Sequence, residues 1–410
     1  MDRLIVQPLR ESAISTVIVI DALDECKDDE PASAILSILG QFVSKIQKVK
    51  FFLTGRPEPR ICKGFLLPWM AGVTDVFILH EVEPSQVNSD IELFFRHSFS
   101  ELSHQHKLDD WPSTEQLDLF CMRAAGLFVY AVATTKFIGH ENHDPEERLV
   151  YLQSYEDSGC EGATRLSQNT TLDSLYMSIL QEAFGDNTPE YDCKARSILG
   201  AVILAANPLS PSMIATLLDL TTKSVYLRLL SVHSLLILQK DINQPALPFH
   251  KSFPDFIVNP NRCTNQRFCI SPPNHHLELL IGCLRLMNQR LEKNMCKLSD
   301  AVLNEDVGDL QEKTGQLIDY SLQYACQSWH KHLAIINVAP AEMHRITSIL
   351  HKFLEEKFLF WLEVLSVLGT VRNAVDALEI AAKWLKVCVK CIHQADFLNL
   401  LTLGLGITNH

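Results

Sequence analysis

Val17-Ile18-Val19-Ile20-Asp21-Ala22-Leu23-Asp24-Glu25 is an apolar, largely β-branched run that stops at three acids. About thirty residues later a second apolar run, Phe51-Phe52-Leu53-Thr54-Gly55-Arg56-Pro57, stops at a cation. Continuous apolar runs suit strands covered on both faces of a parallel sheet. Ile14 to Ile20 therefore reads as one strand, Val49 to Thr54 as a second and Val76 to Leu79 as a third. Between the first two, the acidic start Asp28-Asp29-Glu30, Pro31 as helix opener, and Ile35, Leu36, Ile38, Leu39, Phe42, Val43 and Ile46 at helical spacing predict a helix. The order is β-α-β-α-β with a right-handed crossover. Doubly wound sheets usually carry about five strands, so the sheet is expected to be partial, the chain beginning in mid-domain.

Composition narrows the possible functions. The 410 residues are 47% hydrophobic, enough for a sizeable core in two to four domains. Acids outnumber Lys plus Arg by 49 to 36, a net charge of −13. That balance argues against a nucleic-acid surface, which needs concentrated positive charge, and against a polybasic membrane contact. The start, Met1-Asp2-Arg3-Leu4-Ile5-Val6-Gln7-Pro8, lacks the basic head and long apolar centre of a signal peptide. Apolar stretches around Ile198 to Ala206 and Phe358 to Leu368 are too short, or too interrupted by Glu363, to span a bilayer. The 12 cysteines are scattered singly, which reads as reduced buried thiols. A cytoplasmic protein with no membrane span is expected.

Downstream the pattern turns helical. From Ser89 to about Gly139 apolar residues recur at helical spacing; Gly139 to Asn169 is polar and reads as a loop between domains. Cys193 to Leu204 is an apolar helix. Asn207-Pro208-Leu209-Ser210-Pro211 breaks and restarts the chain, with Ser210 as N-cap and Pro211 as first helical residue. A third helix over Lys223 to Leu230 and two short strands, Leu235 to Gln239 and Ala246 to Phe249, complete a winged helix. Helices are then expected over His276 to Leu291, Thr314 to His332, Met343 to Phe353, Phe358 to Val367 and Asn373 to Val389, as a bundle or the start of a solenoid. The fold class is thus α/β plus all-α. The expected domains are 1–88 (partial parallel sheet), 89–170 (helical region and loop), 171–262 (winged helix) and 274–401 (helical bundle).

The charged strand ends are the candidate site. A carboxylate at Asp21 emerges at the carboxyl edge of the sheet, where open α/β folds place their ligands. Mg²⁺ needs only one or two such groups, with waters and phosphates filling its octahedron. Asp24 and Glu25, one turn on, could orient or deprotonate an attacking water. The plainer alternative is a solvated acidic turn. Arg56, at the end of the neighbouring strand, can pair with a terminal phosphate, or be a surface arginine stiffened by Pro57 and Pro59. Other groupings carry less. Cys388-Val389-Lys390-Cys391 has metal-knuckle spacing but no second pair, and reads as core. The histidine pairs at His104 and His106, His140 and His143, His275 and His276, and His330 and His332 read as solvated or capping. The presumptive recognition helix holds only Lys223 and Arg228 as cations, against DNA binding.

These residues resemble the NACHT-type signal-transduction NTPases (the STAND class, nucleotide-binding-oligomerisation-like receptors), most closely fungal members that often carry WD40 repeats downstream. The sharp matches are I-D-A-L-D-E-C, beginning at Ile20, and F-x-x-T-G-R-P-E-P, beginning at Phe51. The resemblance implies that Asp21 is the Walker B residue for Mg²⁺, that Asp24 and Glu25 are the extended acidic pair, and that Arg56 senses the γ-phosphate. Ala125-Gly126-Leu127-Phe128 resembles a G-L-P-L stretch in which Phe128 replaces proline. His250, in Leu247-Pro248-Phe249-His250-Lys251-Ser252, stands where relatives have a histidine that touches the β-phosphate of ADP and holds a closed, inactive form; the alternative is a core histidine packing the wing. The likeness runs from Thr16 to about Lys390. It implies an ATP/ADP-dependent switch, self-association or association with related receptors, and a role in non-self recognition or programmed cell death. No G-x-x-x-x-G-K-[ST] phosphate loop occurs in the sequence, so the chain is expected to hydrolyse ATP poorly or not at all. The other expectation is a non-catalytic helical interaction fragment.

Overall fold

A computed structural model of the chain describes Gln7 and residues 15–26, 29–42, 49–158, 168–185, 188–299, 304–337 and 339–392. The chain forms two compact units, Met1–Glu83 and Pro84–His410.

In the first unit, β1 (Thr16–Ile20) is followed by a 3-10 turn at Leu23–Glu25, α1 (Asp29–Phe42), β2 (Val49–Leu53), α2 (Pro59–Phe65) and α3 (Pro68–Ala71). The strands pair in parallel, from Thr16 opposite Val49 to Ile20 opposite Leu53, as the helical crossover between them requires. Leu23, Leu36, Ile61 and Met70 form a small core, with Ile20, Ile35, Leu53 and Phe65 against it. Two expectations are corrected. The strands are not covered on both faces: they alternate, with Val17, Val19 and Phe52 exposed. And Val76 to Leu79 is no strand. Val76 and Phe77 are exposed, and Leu79–Glu81 is a 3-10 turn. β propensity needs a neighbouring edge and an apolar layer to act on, and among the described residues this run has neither.

The second unit begins with α4 (Pro84–His106), α5 (Thr114–Ala124), α6 (Phe128–Ile138), α7 (Pro145–Ser158) and α8 (Gln168–Phe184). Phe95 stacks on Phe99 with ring centroids 5.4 Å apart, and Trp111 meets Phe99 edge-on. Ser113 and Gln116 form a reciprocal capping box at the start of α5. The polar stretch expected as a loop carries α7. Asp144 accepts from the backbone N–H of Glu146 at 2.8 Å, and Leu149 and Leu152 are fully buried. A proper cap and two apolar anchors three residues apart suffice for a helix that composition conceals.

Three mutually packed helices follow, α9 (Pro189–Leu204), α10 (Pro211–Leu218) and α11 (Thr222–Ser231), then β3 (Leu236–Ile237), β4 (Leu247–Pro248) and α12 (Ser252–Ile257). Ser210 caps α10 by accepting from Met213 N–H at 3.3 Å, with Pro211 first in the helix, as its residues predict. β3 and β4 pair antiparallel.

The remainder comprises α13 (Pro272–Arg290), α14 (Leu310–Leu317), α15 (Tyr320–Leu333), α16 (Pro340–Glu356), α17 (Phe358–Val367) and α18 (Asn373–Ile392). The single helix expected from Thr314 to His332 is two. Ile318 is extended, and Asp319 accepts from the N–H groups of Ser321 and Leu322, so its side chain starts a new helix. Trp329, Phe353 and Trp361 meet edge-on at 5.5 to 6.0 Å, and Trp361 Nε1 donates to Cys326 O.

The histidine pairs of this region are not solvated. His275, His276, His330 and His332 are all buried. Ala206 N–H donates to the Tyr324 hydroxyl, which lies 2.8 Å from His332 Nε2, and His332 Nδ1 lies 2.8 Å from His276 Nδ1. All partners are satisfied with both rings neutral when the tyrosine donates to His332 and His332 donates to His276. Burial, with His275 nearby, depresses the pKa of His276; burial and Lys331 hold His330 down to about 4, against the opposing pull of Asp376. Unfolded histidines titrate near ~6.5, so the fold prefers the neutral rings. That contribution is intact above pH ~6.5 and declines as pH falls below it, for His330 down towards about 4, at up to about 1.4 kcal/mol per pH unit. The urea midpoint of the second unit is therefore expected to be lower at pH 5 than at pH 7.5, and His330→Gln to flatten that difference.

Candidate functional site

Parallel pairing of β1 with β2 does not stop where the strands do. Beyond the Ile20–Leu53 pair, Thr54 N–H donates to Ile20 O at 3.0 Å and Leu23 N–H donates to Thr54 O at 2.9 Å. Ala22 N–H donates to Thr54 Oγ1 at 2.9 Å, and that hydroxyl donates to Asp21 Oδ1. Thr54 thus fastens the acidic turn to the neighbouring strand end through both its backbone and its side chain. Ala22 pays a backbone cost for this, sitting in the left-handed region at φ 56°. The sharp turn carries the chain from Asp21 to Asp24 across the sheet edge.

The four charged positions end up in different circumstances. Asp21 is exposed at the strand end, oriented by Thr54. Asp24 is buried; its Oδ1 accepts from Arg56 N–H at 3.0 Å and its Oδ2 lies 3.7 Å from Arg56 Nε, while the Arg56 side chain is about half-exposed. Gly55 brings the two together: a Cβ there would touch Leu23 Cβ at 3.4 Å and Asp24 Oδ1 at 3.5 Å. The backbone of Glu25 closes the 3-10 turn; its side chain lies outside the described residues. The edge therefore presents an exposed carboxylate, held by Thr54, beside a carboxylate–guanidinium pair. The donor set suits a hard cation held through one carboxylate and waters. Among the described residues no three His, Cys, Asp or Glu side chains converge as a complete metal cage. The side chains of Cys388 and Cys391 lie outside the described residues.

His250 belongs to the second unit. It is exposed, so it is not a core histidine packing the wing. Its Nδ1 accepts from Ser252 N–H at 3.2 Å and lies 2.6 Å from Ser252 Oγ, which in turn is 2.7 Å from the Tyr176 hydroxyl. Nδ1 is therefore the acceptor and the neutral ring carries its proton on Nε2. Phe249 beside it is covered by Lys136, whose Nζ stands 3.7 Å from the ring centroid. In the G-L-F-V stretch, Ala125 and Gly126 both take positive φ, at 47° and 81°, and Phe128 is the first residue of α6. That is a helix position where proline is well tolerated; Phe128 packs edge-on against Phe94.

Sequence reasoning missed Thr54, whose signal was its place inside F-x-x-T-G-R-P at the strand end.

Comparison with known proteins follows the same segment. Residues 1–56 match the family described as Nephrocystin 3, N-terminal; both strands and the turn up to Arg56 lie inside that match. Over 389 aligned residues the chain is 21% identical to the vegetative incompatibility protein HET-E-1 of Podospora anserina, covering 88% of this chain and 26% of the relative. The chain spans about a quarter of the length of that curated relative. No solved structure matches the chain. No helix among the described residues is long and apolar enough to cross a membrane.

The Thr54 fastening is testable. Thr54→Val keeps the volume but removes the acceptor of Ala22 N–H and the donor to Asp21, and is expected to cost about 1–3 kcal/mol in the first unit. Thr54→Ser, which keeps both bonds, is expected to cost less. Denaturant unfolding of the two variants, followed by hydrogen exchange at Ala22 and Leu23, checks this.

Proposed function

We propose that the chain is part of a nucleotide-responsive signalling switch of the NACHT type, working in the cytoplasm in a response akin to vegetative incompatibility. The observation that carries this reading is the paired strand edge, where Asp21 stands exposed beside the Asp24–Arg56 pair. Asp21 suits a Mg²⁺ ion held through its carboxylate and waters. Bound there, the ion would neutralise charge on the phosphates of ATP or ADP.

The chain's own residues divide the remaining work. Thr54 holds the Asp21 carboxylate in one orientation. Asp24 keeps the Arg56 backbone and guanidinium at the sheet edge, so a terminal phosphate reaches a pre-positioned cation that exchanges one anionic partner for another. Glu25 is the candidate for orienting a water. In a three-helix and hairpin unit read as a winged helix, the Nε2 proton of His250 is suited to donate to a β-phosphate oxygen and so couple the nucleotide state to closure. Self-association on release of that closure follows the same logic. The sequence contains no glycine-rich phosphate cradle and phosphoryl transfer depends on one, so this reading assigns the chain nucleotide sensing with little hydrolysis.

A second reading has its own observation. Val17, Val19 and Phe52 form an exposed apolar face on the two-stranded sheet, which suits a helical interaction fragment that docks through this sheet and binds no nucleotide.

Thermal unfolding of the purified chain separates the two. With Mg²⁺ and millimolar ADP or ATP, a ligand at ~100 times its dissociation constant adds ~2.7 kcal/mol; the switch reading expects that shift, and expects Asp21→Ala to abolish it. A cooperative transition that ignores nucleotide would leave the interaction reading. The His250 role has a separate readout: His250→Ala is expected to speed release of a fluorescent ADP analogue several-fold, and an unchanged release rate would remove it from the switch.

A further inference from the structure

Arg148, on α7, is a cation in an unusual place. It is only 6% exposed. Its Nη1 donates to Phe137 O at 2.6 Å, its guanidinium lies 4.2 Å over the Phe137 ring, and its Nε has no hydrogen-bond partner. The acid that acts on it, Glu182, does so through space and not by a hydrogen bond. A buried charge without a bonded counter-ion is costly, and burial pushes the arginine down to about 10. Closing the C-terminus of α6 and stacking on Phe137 occupy one donor and one face, and leave donor capacity unused.

Nε is itself closed to solvent, so the terminal nitrogens of the guanidinium are the ones able to reach a neighbouring cavity. Arg148 lines a pocket of about 270 Å³ together with His140, Asn142, His143, Glu182 and Ser231, contributed by the α6–α7 turn, α8 and α11. With a water filling roughly 30 Å³ in the liquid, the space holds a tetrahedral oxyanion and several waters. The rings of His140 and His143 are 5.3 Å apart, and His233 packs on His140 at 4.1 Å. Both His233 nitrogens face carbonyl oxygens, of Leu230 and Lys136, so a neutral ring is one proton short of satisfying them.

We propose that this pocket binds a phosphate group, with Arg148 as its anchor and His140 and His143 as walls that gain protons when the anion enters. Glu182, which also lines the pocket, is the resident counter-charge, and the dianion binds as that carboxylate swings out towards solvent. Burial keeps the histidines neutral, and at His140 the neighbouring His233, then Arg148 and His143, add to it and hold the ring near 4. His143 is lowered by burial and Arg148 against Glu182 and Glu147; His233 is lowered by burial, Arg148 and Lys136 against its two backbone bonds. A bound dianion favours the imidazolium forms, so binding takes up protons and strengthens as pH falls.

The test uses the full chain with inorganic phosphate, with sulfate, which stays a dianion throughout, and with ADP, followed by calorimetry and thermal unfolding. Expected are saturable phosphate and sulfate binding, sulfate tighter at pH 6 than at pH 8 by several-fold, and at least a tenfold loss in Arg148→Gln. His143→Asp, at an exposed position, is expected to weaken binding in a chain that folds normally, and decides the matter if Arg148→Gln does not fold. An ADP response lost in Arg148→Gln but kept in Asp21→Ala would make the ligand a nucleotide phosphate; a phosphate response lost in Arg148→Gln, with the ADP response lost only in Asp21→Ala, would make it free phosphate. Absence of saturable binding by all three probes, or equal binding by the folded variants, overturns the proposal.

Discussion

The second unit depends on how closely α13 can approach its neighbours. At Gly282 a Cβ would lie 2.3 Å from the carbonyl oxygen of Leu217, the last residue but one of α10, so a side chain there would force the helices apart. With that approach allowed, α13 packs against α9, α10, α15 and α16. It buries Leu279, Leu280, Cys283, Leu284 and Met287 in one continuous core. Removing so much apolar surface from water is the main stabilisation available. It also draws in polar groups that must then be satisfied internally, which is why Ala206, Tyr324, His332 and His276 form a closed chain of hydrogen bonds.

The first unit is held by a smaller device. Two five-residue strands and a core of a few side chains could not fix an exposed acidic turn by packing alone. Thr54 does so through hydrogen bonds, and Asp24 fastens the other side to Arg56. The same bonds that make the edge rigid bring opposite charges to one place. An edge built this way holds the Arg56 backbone and guanidinium in place before any ligand arrives.

In both units, then, charge sits where packing alone would not put it. At the sheet edge the cation has a carboxylate partner. At Arg148 it has a ring, a carbonyl and a cavity. The contrast is one of partners: a paired charge at the one, and a cation with unused donor capacity beside a pocket at the other.

Much of this was legible in the residues. The continuous apolar runs and the charges at their ends pointed to β1, β2 and their carboxyl edge, because parallel direction follows from the helical crossover between them; that the strands bury only one face was not in the pattern. Ser210-Pro211 and the hairpin were readable from local capping and turn chemistry, which acts within a few residues, and Phe358 to Val367 from its apolar run. What the sequence could not decide was anything set by distant partners. The run at Val76 to Leu79 had strand propensity but no edge to join, α7 was hidden in a polar stretch until Leu149 and Leu152 found a core, and His275, His276, His330 and His332 looked like surface residues until α13 and α15 closed over them. The sequence by itself determined the paired strands, the charges that end them and most of the helices; only the tertiary structure decided the fate of Val76 to Leu79 and of α7, which groups are buried and which are paired, because these depend on contacts between residues far apart in the chain.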